Sequence, residues 1–347
     1  MACPEPSRRN ATMSKPERVF AALRGEEVDR VPVSAWWHDF AREWSPEGLA
    51  QATLEAYRRY DWDFIKVNPR ACYYAEDWGA RYQQSDQPHQ QPKLVEPGVT
   101  SPQDLRRVRP LDVTQGAYGE QLVALSIIAG KLAGEAPFIQ TVFSPLAAMS
   151  RLAGSTKYVQ KLMREAPEEL LAALEAIAET LRSYAGACLQ QGASGIFFAT
   201  VEWGGGDNIS PQDYDRFARP FDLRVLAAVQ DAPFNVLHVC RDNNHLGRLL
   251  DYPVQVFHWA SRSPGNPSLS DVLPRTDRAL MGGVEQQTMP NGSPDDVTSQ
   301  GRDALEQTGG RRPDGRPSGR FLLAPECSID PQAPEENLRA LAEVARP

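Results

Sequence analysis

The segment NVLHVCRDNN, residues 235–244, holds an imidazole and a thiol two positions apart, His238 and Cys240. In a strand, residues i and i+2 project to the same face. His238 and Cys240 would therefore face together, while Leu237 and Val239 face away. An imidazole nitrogen and a thiolate sulfur are donors that Zn2+ accepts in tetrahedral sites. Cys327, far downstream, is available as a third donor. Three protein ligands would leave one coordination position open, as catalytic zinc requires. The competing reading is a hydrogen-bonded core histidine beside cysteines that pack as small hydrophobes. Spacing alone leaves both open.

Other reactive groups fall near the ends of apolar runs. Glu202 follows one such run and could serve as an acid or base if desolvated, or simply form a salt bridge. His258 follows another. The glycines 204–206 could cradle an anion or shape a loop. Trp37, Trp203 and Trp259 could line a mouth suited to a flat or aromatic substrate, or pack loops. Arg42 could grip a carboxylate, or stay solvated. His38, Asp39 and Asn68 complete the polar groups expected at the mouth.

The elements that must position these groups are legible in outline. Short apolar runs occur at 31–37, 64–68, 137–143, 195–201, 234–240, 254–259, 279–284 and 320–327. Most are apolar without alternation, as strands buried on both faces should be. Helices are predicted at 46–60, 115–133, 167–191, 211–231, 294–308 and 334–345. Several begin with one grammar: SPEG at 45, SPQD at 101, SPQD at 210 and SPDD at 293. Serine caps, proline takes the first helical position, and an acid sits in the first turn. Eight strands alternating with helices predict an α/β fold, a single-domain (β/α)8 TIM barrel. Chemistry in such barrels collects at the C-terminal strand ends. Residues 69–136 exceed a simple crossover, which predicts a hairpin around DWGARYQQ and QPKLVEPG. The stretch 308–320, rich in Gly, Pro and Arg, reads as an exposed loop.

The chain has 347 residues, 41% hydrophobic and 24% charged, with a net charge of −8. That balance has no nucleic-acid or polybasic membrane footprint. No apolar run nears the roughly 20 residues of a membrane span. Five cysteines without regular spacing argue against a disulfide framework and for a reduced, cytoplasmic setting. Residues 1–12 read as a disordered leader ahead of a domain at 13–347.

Over residues 14–346 the chain resembles the uroporphyrinogen decarboxylase superfamily. The resemblance rests on PERVFAALRGEEVDRVPVSAW, TVFSPLAAMSRLAG, ISPQDYDRFARPF and LAPECSIDPQAPEENLRALAEVAR. It implies a (β/α)8 barrel. The decarboxylases of this superfamily need no metal, and carry an arginine-rich FMRQAGRY segment and an aspartate after the second strand. Here the first segment reads SAWWHDFARE, with Arg42 alone in its place, and Asn68 stands near the expected aspartate. The corrinoid-dependent methyltransferases carry His-x-Cys followed much later by Cys, which His238, Cys240 and Cys327 match. Cobalamin-independent methionine synthases add a ligand from the following strand, where His258 would fall. The resemblance thus implies a zinc-dependent methyltransferase that moves a methyl group between a corrinoid, carried by a partner protein, and a thiol or related acceptor. The alternatives are a metal-independent porphyrinogen decarboxylase of tetrapyrrole biosynthesis and a non-catalytic corrinoid- or tetrapyrrole-binding protein.

Overall fold

A computed structural model describes residues 12–309 and 319–346. Seven parallel strands form one curled sheet: β1 (Ile65–Val67), β4 (Phe138–Phe143), β5 (Ile196–Ala199), β6 (Val236–Val239), β7 (Val256–Trp259), β8 (Ala279–Val284) and β9 (Phe321–Pro325), in that spatial order. The excursion after β1 contains the expected hairpin, β2 (Arg81–Gln83) antiparallel to β3 (Lys93–Glu96). The leader expectation lies outside the described residues except for Thr12, and most of the 308–320 stretch lies outside them as well.

Alternation along each strand sorts side chains into two layers. Leu237 and Val239 of β6, Phe257 of β7 and Leu323 of β9 join the large core under the helices. Phe197, Val236, Val256, Met281 and Ala324 meet on the concave inner face. Both layers are apolar, which is why these strands read as unbroken hydrophobic runs.

The expectation of eight regular strands needs correction at its first member. Residues 31–37 form no strand, and Val33 makes only an isolated parallel bridge to Leu323. The segment instead ties the two sheet edges irregularly. Ser34 N–H donates to Leu323 O (3.2 Å) and Leu323 N–H to Pro32 O (2.9 Å) on one side; Asp63 N–H donates to Val33 O (2.9 Å) on the other. Pro32 has no N–H to offer a ladder, and beyond Ser34 the chain leaves the sheet. The observed architecture is a half-barrel of seven parallel strands closed by this seam, and a complete eight-stranded barrel is not formed by regular strands among the described residues.

The helix starts follow the sequence grammar. Ser45, Ser210 and Ser293 accept from the backbone N–H groups of Gly48, Asp213 and Asp296. Ser101 heads a 3-10 turn, Pro102–Arg107, rather than an α-helix. The single helix expected over 211–231 is two, Pro211–Phe217 and Arg219–Ala227. Pro220 lacks the N–H that would continue the first into the second.

Candidate metal centre

His238 lies on β6 with its side chain on the inner face; its neighbours in register are Ala199 on β5 and His258 on β7. Cys240 follows on the same face just past the strand end. Cys327 arrives from beyond β9, where Glu326 N–H still donates to Val284 O (2.9 Å) and so prolongs the ladder. The Cys327 sulfur is 3.8 Å from that of Cys240 and 3.6 Å from His238 Nε2. All three donor atoms lie within 4.8 Å of one another. Bond lengths of about 2.3 Å to sulfur and 2.0–2.1 Å to nitrogen in a tetrahedral zinc site put sulfurs about 3.8 Å apart and sulfur about 3.6 Å from nitrogen. The donor set fits that ion in kind, and the two separations that involve Cys327 match it in spacing. The buried Nδ1 of His238 has no hydrogen-bond partner, which leaves Nε2 as the atom turned to the sulfurs.

The two thiols act as a pair. A hydrogen bond from Cys240 lowers Cys327 to about 7 against the cost of burial, with the Lys66 cation assisting. The same bond, followed by burial, holds Cys240 well above an ordinary thiol. The thiolate is the form of each sulfur that binds metal.

His258 does not join the donor group. Its Nε2 bonds Pro325 O (2.9 Å), and its ring centroid lies 4.7 Å from that of His238. Burial, then the neighbouring His238, keep it neutral well below the usual histidine range.

The glycines at 204–206 serve close approach. A Cβ on Gly204 would lie 2.8 Å from Cys240 O and 3.0 Å from Cys240 N; one on Gly205 would meet Arg241 Cβ at 2.9 Å. This ridge carries the turn after Cys240, with His245 N–H donating to Gly204 O and Gly206 N–H to Asn243 O. The turn is strained. Arg241 (φ 76°) and Asn243 (φ 47°) are left-handed, as is Val201 (φ 50°) just before Glu202. Asn266 braces it: its side chain donates to Arg241 O (2.9 Å) and Ala260 O (2.7 Å) and accepts from Asn244 N–H (2.8 Å).

The remaining expected residues divide. Glu202 is half-buried beyond β5, and burial raises its carboxyl above the usual range, opposed by its own backbone N–H and by Arg241. Trp203 and Trp259 are fully buried, with their indoles donating to Ser150 Oγ and Pro267 O; they pack loops. Trp37 is half-buried, edge-on to Tyr60, and lines a cavity of about 200 Å3 together with Asp39, Arg42 and Asn68. Arg42 is engaged by Asp39 and Glu55, and His38 by Glu43, so neither presents an uncompensated charge.

Two inner-face residues have no role in the sequence reading, although Glu326 ends the last apolar run there. Glu326 is buried, accepts from Ser261 Oγ and Arg262 N–H, and is raised by burial to about 6. Lys66 is buried in the middle of β1, and its ammonium donates to Asn68 Oδ1. A lysine inside the apolar run FIKVN was the available signal, since lysine is almost never fully buried without a partner.

Residues 14–347 match the family described as uroporphyrinogen decarboxylase (URO-D). The chain is 25% identical to the methylcobamide:CoM methyltransferase MtaA of Methanosarcina barkeri (strain Fusaro / DSM 804), over 93% of this chain and 95% of that protein. It is also 25% identical to a uroporphyrinogen decarboxylase of Prochlorococcus marinus (strain NATL1A), over 73% and 70% respectively. The fold matches a methyltransferase from Methanosarcina mazei with a TM-score of 0.79 at 22% identity, covering 96% of this chain and 98% of that one. A B12-independent methionine synthase from Shewanella sp. W3-18-1 shares the fold more distantly, with a TM-score of 0.58 at 11% identity, covering 86% of each chain. The chain belongs to the uroporphyrinogen decarboxylase family, in whose methyltransferase branch it has homologues along nearly its whole length.

Proposed function

We propose that this chain is a zinc-dependent methyltransferase that moves a methyl group from a corrinoid to the sulfur of a thiol. The observation that carries this reading is the spacing of the His238, Cys240 and Cys327 donor atoms, which suits one tetrahedral ion with a free position. A zinc ion held there would supply Lewis acidity that keeps an acceptor thiol deprotonated, and the thiolate is the nucleophilic form.

The chain's own residues do the rest. His238 and Cys240 present their donors from one strand face, and the bond between His258 and Pro325 O fixes the approach of Cys327. The glycine ridge and Asn266 hold the Cys240 turn. To Glu202, half-buried beyond β5 with a carboxyl raised by burial, we assign the exchange of a proton with the acceptor. A methylcobamide donor is part of the name of the Methanosarcina barkeri relative, and it fits an acceptor site built from soft ligands. We place the donor on a separate corrinoid protein, in a soluble, cytoplasmic setting; no helix among the described residues is long and apolar enough to cross a membrane.

The alternative of a porphyrinogen decarboxylase has relatives in its favour. It requires uncompensated cations for several carboxylates, and Arg42 is already paired with Asp39 and Glu55. The deciding experiment is the zinc content of protein purified without chelator, alongside Cys240→Ala, followed by methyl transfer from methylcobalamin to a thiol. Near one zinc per chain in the wild type, little in the variant, and transfer lost with the metal are expected. A metal-free wild type that decarboxylates a porphyrinogen equally well with and without Cys240 would defeat the proposal.

A further inference from the structure

The seam leaves a gap in the barrel wall. It is tied to the start of β1 by Asp63 N–H donating to Val33 O (2.9 Å) and by Ser34 Oγ donating to Phe64 O (2.7 Å). Beyond these links no hydrogen bond joins residues 35–37 to residues 65–68 among the described residues. In β1 the N–H of Ile65 points to the β4 side, where it meets Pro137 O (3.0 Å), and Val67 O accepts there from Thr141 Oγ1 (2.6 Å). Successive peptide groups of a strand point to opposite edges, so the N–H and C=O of Lys66 face the gap, and no residue of the seam bonds them. Backbone groups left in this way take water or a ligand.

The gap opens into the cavity of about 200 Å3 that Trp37 lines, and Lys66 borders it. One face of the helix Pro46–Tyr60 forms the opposite wall, where Leu49, Ala52, Thr53, Ala56 and Tyr60 recur at helical spacing. Ala52, Thr53 and Ala56 are small and half-buried, and they leave the space that larger side chains would fill. Aromatic rings form one end: Tyr60 is edge-on to Trp37, with centroids 5.9 Å apart, and stacks on Trp62 at 5.3 Å. A cavity of about 150 Å3 accepts benzene, so this one has room for a single ring with a substituent. The guanidinium groups on its rim are already paired, Arg42 with Asp39 and Glu55 and Arg59 with Glu335. An entering carboxylate would lose water without gaining a free guanidinium.

We propose that this cavity is a binding site for a small uncharged molecule with one aromatic ring and a hydroxyl group. The ring packs against Trp37 and Tyr60, and the hydroxyl bonds the open backbone of Lys66. The proposal does not depend on the zinc-centre reading.

The test is isothermal titration calorimetry of the full-length protein with phenol, cyclohexanol and benzoate. Phenol is expected to bind saturably at one site. Cyclohexanol, of like size but without a ring face, is expected to bind roughly two- to tenfold more weakly, and benzoate roughly tenfold or more weakly. Ala56→Leu, which fills the cavity from the helix, is expected to keep the wild-type urea midpoint and to lose phenol affinity by roughly tenfold or more. Should Ala56→Leu fail to fold, Thr53→Leu is read in the same way. A wild type without saturable phenol binding overturns the proposal, as does unaltered phenol affinity in a folded cavity-filled variant. Benzoate bound as tightly as phenol overturns the class of ligand and the proposal with it. Zinc content of the same samples decides the metal centre separately.

Discussion

His238 and His258 stand directly opposite each other on neighbouring parallel strands, yet only His238 faces the sulfurs. The ring of His258 is turned so that Nε2 bonds the carbonyl of Pro325, two residues before Cys327. One histidine belongs to the proposed donor cluster, and the other bonds the loop that leads to Cys327. His258→Gln, which keeps an N–H for that carbonyl, is therefore expected to retain near wild-type zinc content. Metal analysis of the purified variant checks this; a fall to the level of Cys240→Ala would make His258 a ligand.

The contrast shows what the sequence could convey. His238 and Cys240 were legible because strand alternation fixes their common face, and Cys327 because it ends another apolar run. Orientation within the inner layer was not legible: His238 and His258 look equivalent until the Pro325 carbonyl claims one of them. The first apolar run, 31–37, misled because apolar character reports burial, whereas a ladder needs donors, and Pro32 has none. Trp203 and Trp259 misled in the same way, since a position near a strand end does not say whether an indole faces the mouth or a packed loop. Lys66 was visible as a charge in a buried run, but its ring partner Phe197 is far away in sequence.

The run of glycines gives a sharp steric prediction. Gly204→Ala would force its Cβ against the backbone of Cys240. Overpacking of this kind costs about 1–3 kcal/mol, and here the strain falls on Cys240, a proposed metal donor. Lower urea stability together with weakened zinc retention is expected. Gly130→Ala is the control: it is an exposed helical glycine with nothing within 4 Å of the new Cβ, and the substitution should stabilise by about 0.5–1 kcal/mol. Equal effects from the two substitutions would show that the ridge is not what holds the turn.

The seam depends on Asp63. Its fully buried carboxylate receives Arg18 Nη1 (2.8 Å), both Nη groups of Arg30, and Val33 N–H (2.9 Å). Arg18 is itself buried. Removing one partner of such a set leaves an uncompensated charge, typically at 3–5 kcal/mol. Asp63→Ala should therefore lower the unfolding free energy by about that amount, and amide exchange should speed first at Val33 and Ser34. A loss under about 1 kcal/mol, the range of exposed pairs, would mean that the seam is held by the Leu323 hydrogen bonds instead.

Asp222 supplies the clearest dependence on pH. It is fully buried between the helices outside the sheet and accepts from the hydroxyls of Tyr214 (3.0 Å) and Tyr252 (2.9 Å) through one oxygen, while its other oxygen has no partner. Burial pushes the carboxyl up to about 7, against the lowering effect of Tyr252 and Tyr214. An unfolded aspartate titrates near ~3.9. Between these values the folded chain holds a proton that the unfolded chain has released. Stability contributed by this group is thus complete below about pH 4 and is lost as pH rises toward about 7. A shift of that size corresponds to roughly 4 kcal/mol. Asp222→Asn has no such proton, so its stability relative to wild type should rise across this window and level off above it. Urea unfolding of both proteins at matched pH values measures the difference and cancels the other titrating groups. A difference that stays constant from pH 4 to 8 would show that Asp222 is ionised in the folded chain throughout.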